Sequence, residues 1–295
     1  MKLGFIGLGR MGENMCLHLL EKKHKLVVND LSKTQIQKLS RKGATPAYSL
    51  EEVTQKLSGK KVIWLMIPAG KPVDDTISKL LPSLNKGDIL IDGGNSYFKD
   101  SIKRSQMLKK KGIYYLDCGT SGGISGARNG ACMMVGGEKK IFKKIEKLFR
   151  DMCVKDGYGY MGESGAGHFV KMVHNGIEYG MMGALAEGMN AIKKSKFKSD
   201  LKEVAKVYAH GSIIESRLTS WMQEGMKRPY YSKISGSVPR GETEGEMENL
   251  EKLAPMKVLE QARKLRVKSR SSPGLIGKLI AVMRNEFGGH KFKKK

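Results

Sequence analysis

The sequence predicts a doubly wound, mainly parallel α/β sheet in its first half and an all-α helical domain in its second. Three observations predict this. Short apolar runs alternate with segments of helical period as far as about residue 162. A glycine pattern, Gly7-Leu8-Gly9-Arg10-Met11-Gly12, follows the first apolar run directly. Beyond Gly162 the strand signals stop and helical spacing remains.

Residues 2–6 read as a short buried strand and residues 11–22 as the helix after it. A second strand is expected at 26–29 and a second helix at 33–42. The run KVIWLMI at 61–67 is rich in strand formers and stops at Pro68. A helix at 73–81, a strand at 88–92 ending in Gly-Gly and a helix at 100–111 continue the alternation. Strands at 114–118 and 132–136 and a helix at 138–149 complete it. Residues 165–194 then read as one long helix and 201–222 as another. Residues 226–245, with Pro229, Pro239 and several glycines, read as irregular. Helical spacing returns at 247–268 and 273–285. The expected domains are 1–164 and 165–290, followed by a mobile basic tail at 291–295.

A chain of 295 residues with 40% hydrophobic content is long enough for one large domain or two ordinary ones. No run approaches the roughly 18 apolar residues of a membrane span. The first apolar segment leads straight into the glycine pattern and reads as a strand, not a signal peptide. The four cysteines (Cys16, Cys118, Cys132 and Cys153) form no metal-binding spacing, which suits a reduced, cytoplasmic protein without a metal. The formal charge of +25 raises nucleic-acid binding as a possibility. Its lysines are scattered and mixed with glutamate, with no nucleic-acid-binding motif, so specific nucleic-acid binding is not expected. The charge suits steering of an anionic substrate and cofactor.

GxGxxG after a strand and at the start of a helix points to a Rossmann-like dinucleotide site. Gly7 permits the tight turn, Gly9 the approach of the pyrophosphate, and Gly12 the packing of helix on strand. The backbone from Gly7 through Leu8, Arg10 and Met11 to Gly12 would cradle the phosphates at the positive end of the helix. Asp30 ends the second strand, where an acidic residue binds the ribose hydroxyls of NAD. A carboxylate there repels the 2′-phosphate of NADP, so NAD is preferred. Lys33 keeps NADP open.

Lys171, His174, Asn175, Glu178 and Tyr179 stand at relative positions 0, +3, +4, +7 and +8. At about 100° per residue they share one sector of a helix surface. An ordinary amphipathic helix would place leucine or isoleucine there. Here the stripe holds an amine, an imidazole, an amide, a carboxylate and a phenol between apolar flanks, which is the material of a general acid/base site. Lys171 and Glu178 are about 10 Å apart along such a helix.

These motifs resemble the 6-phosphogluconate dehydrogenases (decarboxylating), short form, within the β-hydroxyacid dehydrogenases. The resemblance runs from about residue 1 to 290. It rests on GFIGLGRMGENM, MIPAG at 66–70, DGGNS at 92–96, GTSGGISGARNGACMMVGG at 119–137, GAGHFVKMVHNGIEYGMM at 165–182 and RNEFGGH at 284–290. It implies that Lys171 takes the proton of the substrate C3 hydroxyl, and that Glu178 protonates C1 of the enediol left after CO2 departs. It implies that His174 and Asn175 bind substrate hydroxyls, and that Ser121, Gly122 and Gly123 form the carboxylate-side loop. Ile67, Pro68 and Asn95 would line the cofactor, with Asn95 also facing substrate. Tyr179, Arg284 and His290 would serve the phosphate. In the family the last two reach a neighbouring subunit, so the resemblance implies a homodimer or higher homo-oligomer.

The segment at 237–249 (SVPRGETEGEMEN) departs from the family pattern, in which a DSGEGRWT-like run is expected. Carboxylates there oppose a phosphate. Arg270 and Arg266, in LRVKSR, are the candidate replacements, with Arg240 behind them. Two other readings stand beside this one. The first is a β-hydroxyacid dehydrogenase acting on a non-phosphorylated 3-hydroxy acid. The second is a non-catalytic basic interaction protein.

Overall fold

The computed structural model describes residues 1–241 and 243–295; Glu242, within the divergent segment 237–249, lies outside the described residues. The chain forms two compact units, Met1–Lys171 and Met172–Lys295.

The first unit is built on eight strands. They are β1 (Lys2–Ile6), β2 (Lys25–Asn29), β3 (Thr45–Pro46), β4 (Val62–Leu65), β5 (Ile89–Asp92), β6 (Tyr114–Ser121), β7 (Ala131–Gly137) and β8 (Cys153–Gly162). Between them run α1 (Arg10–Glu21), α2 (Lys33–Ser40), α3 (Leu50–Gln55), α4 (Lys71–Leu80), α5 (Phe98–Lys109), α6 (Gly123–Asn129) and α7 (Lys139–Met152). The sheet order is β3-β2-β1-β4-β5-β6-β7-β8. Its pairs are parallel except β6 with β7. The order reverses between β1 and β4, the switch point at which open α/β sheets bind ligands.

Alternate residues feed two cores. Leu3, Phe5, Trp64 and Ile91 pack with Met15 and Leu19 of α1 and Phe142, Ile145 and Phe149 of α7. Ile6, Ile63, Leu65 and Leu90 pack with Val53 of α3, Val73 and Ile77 of α4 and Leu108 of α5. Strands buried on both faces read as continuous apolar runs, so 2–6, 61–67 and 88–92 were legible as strands. Strand β8 has no such run. CVKDGYGYMG holds three glycines and exposed Val154, Lys155 and Asp156, and it lies at the sheet edge with a bulged register.

Helix α8 (Ala166–Lys194) is continuous, and the division between the units falls within it. The second unit continues with α9 (Leu201–Tyr208), α10 (Arg217–Lys227), α11 (Glu244–Leu253), α12 (Lys257–Ser271) and α13 (Leu275–Gly288). The expected helix at 201–222 is two helices: Gly211, at φ +75°, falls in the break and Ser216 caps α10 by accepting from Thr219 N–H. The expected helix at 247–268 is also two, separated at Ala254-Pro255. Leu279 through Met283 of α13 are all buried, which makes it the central helix of this unit. The tail, expected to be mobile, is tied down. Lys294 bridges Ile234, Lys295 N–H donates to the Lys233 carbonyl, and Phe292 stacks on Tyr230 at 5.3 Å.

Candidate functional site

The glycine loop leaves β1 at the switch point. Gly7 has φ +96°, and a Cβ there would stand 2.3 Å from the Met66 carbonyl oxygen. A Cβ on Gly12 would stand 2.0 Å from the Gly7 oxygen, so α1 begins in direct contact with the turn. A Cβ on Gly9 would meet nothing within 4 Å, and no side-chain hydrogen bond caps α1 there. Closed walls, one open glycine and a helix N-terminus suit a pyrophosphate. Asp30 lies beside this loop and accepts from Leu8 N–H (2.6 Å) and Ser32 N–H (2.8 Å). Lys33 is exposed at the start of α2.

Two further loops leave the same ends of β4 and β5. Ile67 is half-buried and Pro68 exposed. A Cβ on Gly94 would stand 2.9 Å from the Ile67 oxygen, so the loops touch by their backbones. The fully buried Asp92 accepts from Gly94 N–H (3.1 Å), Ser96 Oγ (2.7 Å) and Tyr115 Oη (2.8 Å). Burial, aided by the Asp92 charge, raises the Tyr115 phenol well above its ordinary value and keeps it a donor. Asn95 is half-buried between these anchors.

Lys171 is placed by contacts distant in sequence. The fully buried Asp117 of β6 accepts from Gly165 N–H (2.7 Å) and His168 N–H (2.9 Å) at the start of α8. Gly167 admits this approach, since a Cβ there would lie 2.5 Å from the Met134 oxygen and 2.6 Å from the Asp117 oxygen. The buried His168 pairs with Ser101 Oγ through Nδ1 at 2.7 Å, a structural role. Lys171, 9% exposed, lays its stem on Gly119. Ser121, Gly122 and Gly123 follow at the end of β6, half-buried, with both glycines at positive φ.

In the second unit α8 carries the rest of the stripe. His174 Nδ1 lies 3.3 Å from Asn175 Oδ1; Asn175 is buried and Glu178 half-buried. Tyr179, also buried, has its hydroxyl 3.0 Å from Thr243 Oγ1. The Arg266 guanidinium sits 3.2 Å above the centre of the Tyr179 ring. Arg266 is 3% exposed, and its Nε has no hydrogen-bond partner among the described residues. Burial pushes its pKa down to about 10, with the Arg284 charge adding to this and Tyr179, Glu178 and Glu244 opposing it. Arg284 is buried as well and donates to the Pro239 oxygen at 2.9 Å. Burial lowers its pKa too.

Arg270 is placed differently from expectation. Its Nη1 donates to Glu244 Oε1 at 3.0 Å, its Nη2 to the other carboxylate oxygen, and its Nε to the Val238 oxygen at 3.1 Å. The divergent segment thus supplies Arg270 with a fixed counter-ion, while Arg266 and Arg284 are buried with Glu178 and Glu244 among the charges acting on them. His290 is exposed beyond the end of α13, its ring edge-on to Phe287 at 5.5 Å. Sequence reasoning missed Asp117, Gly119 and Thr243. Gly119 had a signal in the GTSGG run; Asp117 and Thr243 act only through long-range contacts. Among the described residues, no group of three or more His, Cys, Asp or Glu is placed to hold a metal. No described helix is long and apolar enough to cross a membrane.

Comparison with known proteins bears on this geometry. Residues 2–162 match the model of the NAD binding domain of 6-phosphogluconate dehydrogenase, and residues 167–196 match that of its C-terminal domain. The chain is 37% identical over 300 residues to the NAD(+)-dependent, decarboxylating 6-phosphogluconate dehydrogenase of Haloferax volcanii, covering 100% of this chain and 99% of that one. The chain belongs to the 6-phosphogluconate dehydrogenase family. This family member is also 41% identical over 298 residues to YqeC of Bacillus subtilis, itself assigned to the family only provisionally, with both chains fully covered. Among solved structures it resembles the Plasmodium falciparum 6-phosphogluconate dehydrogenase, with a TM-score of 0.82 at 29% identity over 92% of this chain. It spans 62% of that longer chain. The 3-hydroxyisobutyrate dehydrogenase of Mycobacterium tuberculosis shares the fold, with a TM-score of 0.75 at 19% identity over 96% of this chain and 99% of that one. The family is one of oxidoreductases with a nicotinamide cofactor.

Proposed function

We propose that the protein converts 6-phospho-D-gluconate to D-ribulose 5-phosphate and CO2 with NAD as electron acceptor, in the cytoplasm and as a homodimer or larger homo-oligomer. The observation that carries this is the partly buried polar face of α8, from Lys171 to Tyr179, on one unbroken helix. An amine, an imidazole, an amide and a carboxylate ordered along one helix face are the material of proton transfer.

The nicotinamide, when bound, supplies the acceptor for the hydride leaving C3. Lys171 accepts the C3 hydroxyl proton as that hydride departs. Asn175 and His174 hold the C3 oxygen and polarise the ketone, which lets the C1–C2 bond break and CO2 leave. Glu178 then gives a proton to the enediol carbon. A base and an acid at different points of one helix suit this order. Asp30 favours NAD because its carboxylate repels a 2′-phosphate. The Haloferax volcanii relative, named as NAD(+)-dependent, agrees with that preference.

The substrate phosphate is assigned to Tyr179, Arg266 and Arg284, with His290 reaching a neighbouring subunit as the family resemblance implies. Two buried guanidinium groups suit a dianion. The Glu244–Arg270 pairing favours one second reading, a non-phosphorylated 3-hydroxy acid. One assay separates the two. Purified protein is given NAD or NADP with 6-phosphogluconate, gluconate or 3-hydroxyisobutyrate, and NAD(P)H and CO2 are followed. Equal NADH and CO2 from 6-phosphogluconate alone is expected. Turnover of only the unphosphorylated acids would overturn the substrate assignment.

A further inference from the structure

Arg104 of α5 is 3% exposed and uses every nitrogen of its guanidinium. Nε donates to Asp74 Oδ1 at 2.7 Å. Nη1 donates to Asp92 Oδ2 at 3.3 Å and Ser96 Oγ at 3.2 Å. Nη2 donates to the Gly70 carbonyl oxygen at 3.1 Å. These acceptors belong to two different loops. Gly70 and Asp74 close the loop after β4 and open α4, while Asp92 and Ser96 bracket Gly93, Gly94 and Asn95 after β5. No single-nitrogen cation can span both sets, whereas a planar fork with five N–H groups can.

We propose that Arg104 is a positioning residue: it holds the 66–70 and 92–96 loops at the separation that seats the nicotinamide end of the cofactor. The inference rests on the functional reading above, which puts Ile67, Pro68 and Asn95 beside the cofactor. The geometry adds that neither loop is held by its own strand alone. Asp92 is buried without solvent to screen it, so the guanidinium is its counter-charge as well as its brace. Asp74 is largely exposed, so its bond to Arg104 has a positional effect with little cost of burial. The acceptors of Arg104 lie after β4 and β5, whereas Asp30, on the adenosine side, accepts from Leu8 and Ser32.

The test separates the two halves of the cofactor. In Arg104→Gln, kcat at saturating NAD falls about tenfold or more, because a displacement near 1 Å at reacting atoms is enough for that loss. Binding of ADP-ribose, which lacks nicotinamide, stays within about twofold. Arg104→Lys keeps the charge beside Asp92 and is intermediate in kcat. Asp74→Asn, on an exposed carboxylate, covers the event that Arg104→Gln does not fold; its kcat falls about threefold with ADP-ribose binding unchanged. Unchanged kcat in folded Arg104→Gln or in Asp74→Asn overturns the inference. Equal loss of ADP-ribose binding also overturns it, since it indicates collapse of the whole cofactor domain. Wild type that binds ADP-ribose but reduces no NAD from 6-phosphogluconate removes the functional reading and the inference with it. Wild type that turns over, alongside an unimpaired variant, removes the inference alone.

Discussion

Lys171 rests directly on Gly119: a Cβ built at residue 119 would stand 2.3 Å from the Lys171 Cβ and 2.9 Å from its Cγ. The β6 backbone is therefore the surface on which this amine is aimed. Gly119→Ala must push the stem away, with the Gly167 carbonyl oxygen at 3.0 Å closing the other exit. We expect kcat to fall about 100-fold, from a displacement on the order of 1 Å. Overpacking should also cost about 1–3 kcal/mol of stability. Steady-state kinetics with parallel urea unfolding checks both, and a fully active variant would show that the stem position is irrelevant.

Asp30 has two duties that one substitution separates. It receives N–H bonds from Leu8 and Ser32, and it presents negative charge beside the glycine loop. Asp30→Asn keeps an acceptor oxygen and removes the charge. The ratio of kcat/KM for NAD over NADP should drop about tenfold, with a loss of about 1 kcal/mol in stability from the weakened bonds. An unchanged ratio would place cofactor choice elsewhere, with Lys33 the next position to vary.

Arg266, not Arg270, should dominate recognition of the substrate phosphate. Arg266→Met keeps much of the packing on Tyr179 and removes the charge. KM for 6-phosphogluconate should rise about 10- to 100-fold, the range for a charge-assisted hydrogen bond. Arg270→Met strands the buried Glu244 carboxylate and should show chiefly as lost stability, about 3 kcal/mol or more. If Arg270→Met raised KM at unaltered melting temperature while Arg266→Met did not, the assignment would be reversed.

The first unit should lose stability in mild acid. Burial lowers the His24 pKa, with the Asp151 hydrogen bond at 2.8 Å opposing but not cancelling this. Burial lowers the His18 pKa as well, with the Lys22 charge adding to it. Both imidazoles therefore stay neutral in the folded chain to a lower pH than in the unfolded chain. As pH falls below about 6.5, the unfolded chain takes up protons that the folded one refuses, and stability declines. Asp151 adds a later loss: burial alone would raise its pKa, but its bonds to Lys147 and His24 prevail and lower it. That part fades only as pH falls through its depressed value, below the ordinary carboxylate range. Urea titrations between pH 5 and 8 should show the decline, and His18→Gln with His24→Gln should flatten it. A profile as steep in the double variant would place the dependence on other groups.

The legible parts of the fold were those whose signal is local. The strands at 2–6, 61–67 and 88–92 are buried on both faces and carry uninterrupted apolar runs. Strand β8 was missed because an edge strand needs no such run, and Cys153–Gly162 owes its pairing to β7. The helical spacing at 201–222 was read through Gly211 as one element, although the break there depends on the Ser216 cap. The tail looked mobile from its lysines, but three of its residues bond or stack on residues 230–235.

By itself, the sequence determined the glycine cradle, the carboxylate at the end of β2 and the ordered polar face of α8. Each depends on spacing within one turn, one strand end or one helix, where backbone geometry alone relates the residues. Only the tertiary structure decided which arginine is held by Glu244, that Asp117 caps α8, that Gly119 supports Lys171 and that Arg104 spans two loops. Those relations join residues from 8 to 52 positions apart. They are set by burial, which makes a charged or polar group seek a partner wherever the packed chain brings one.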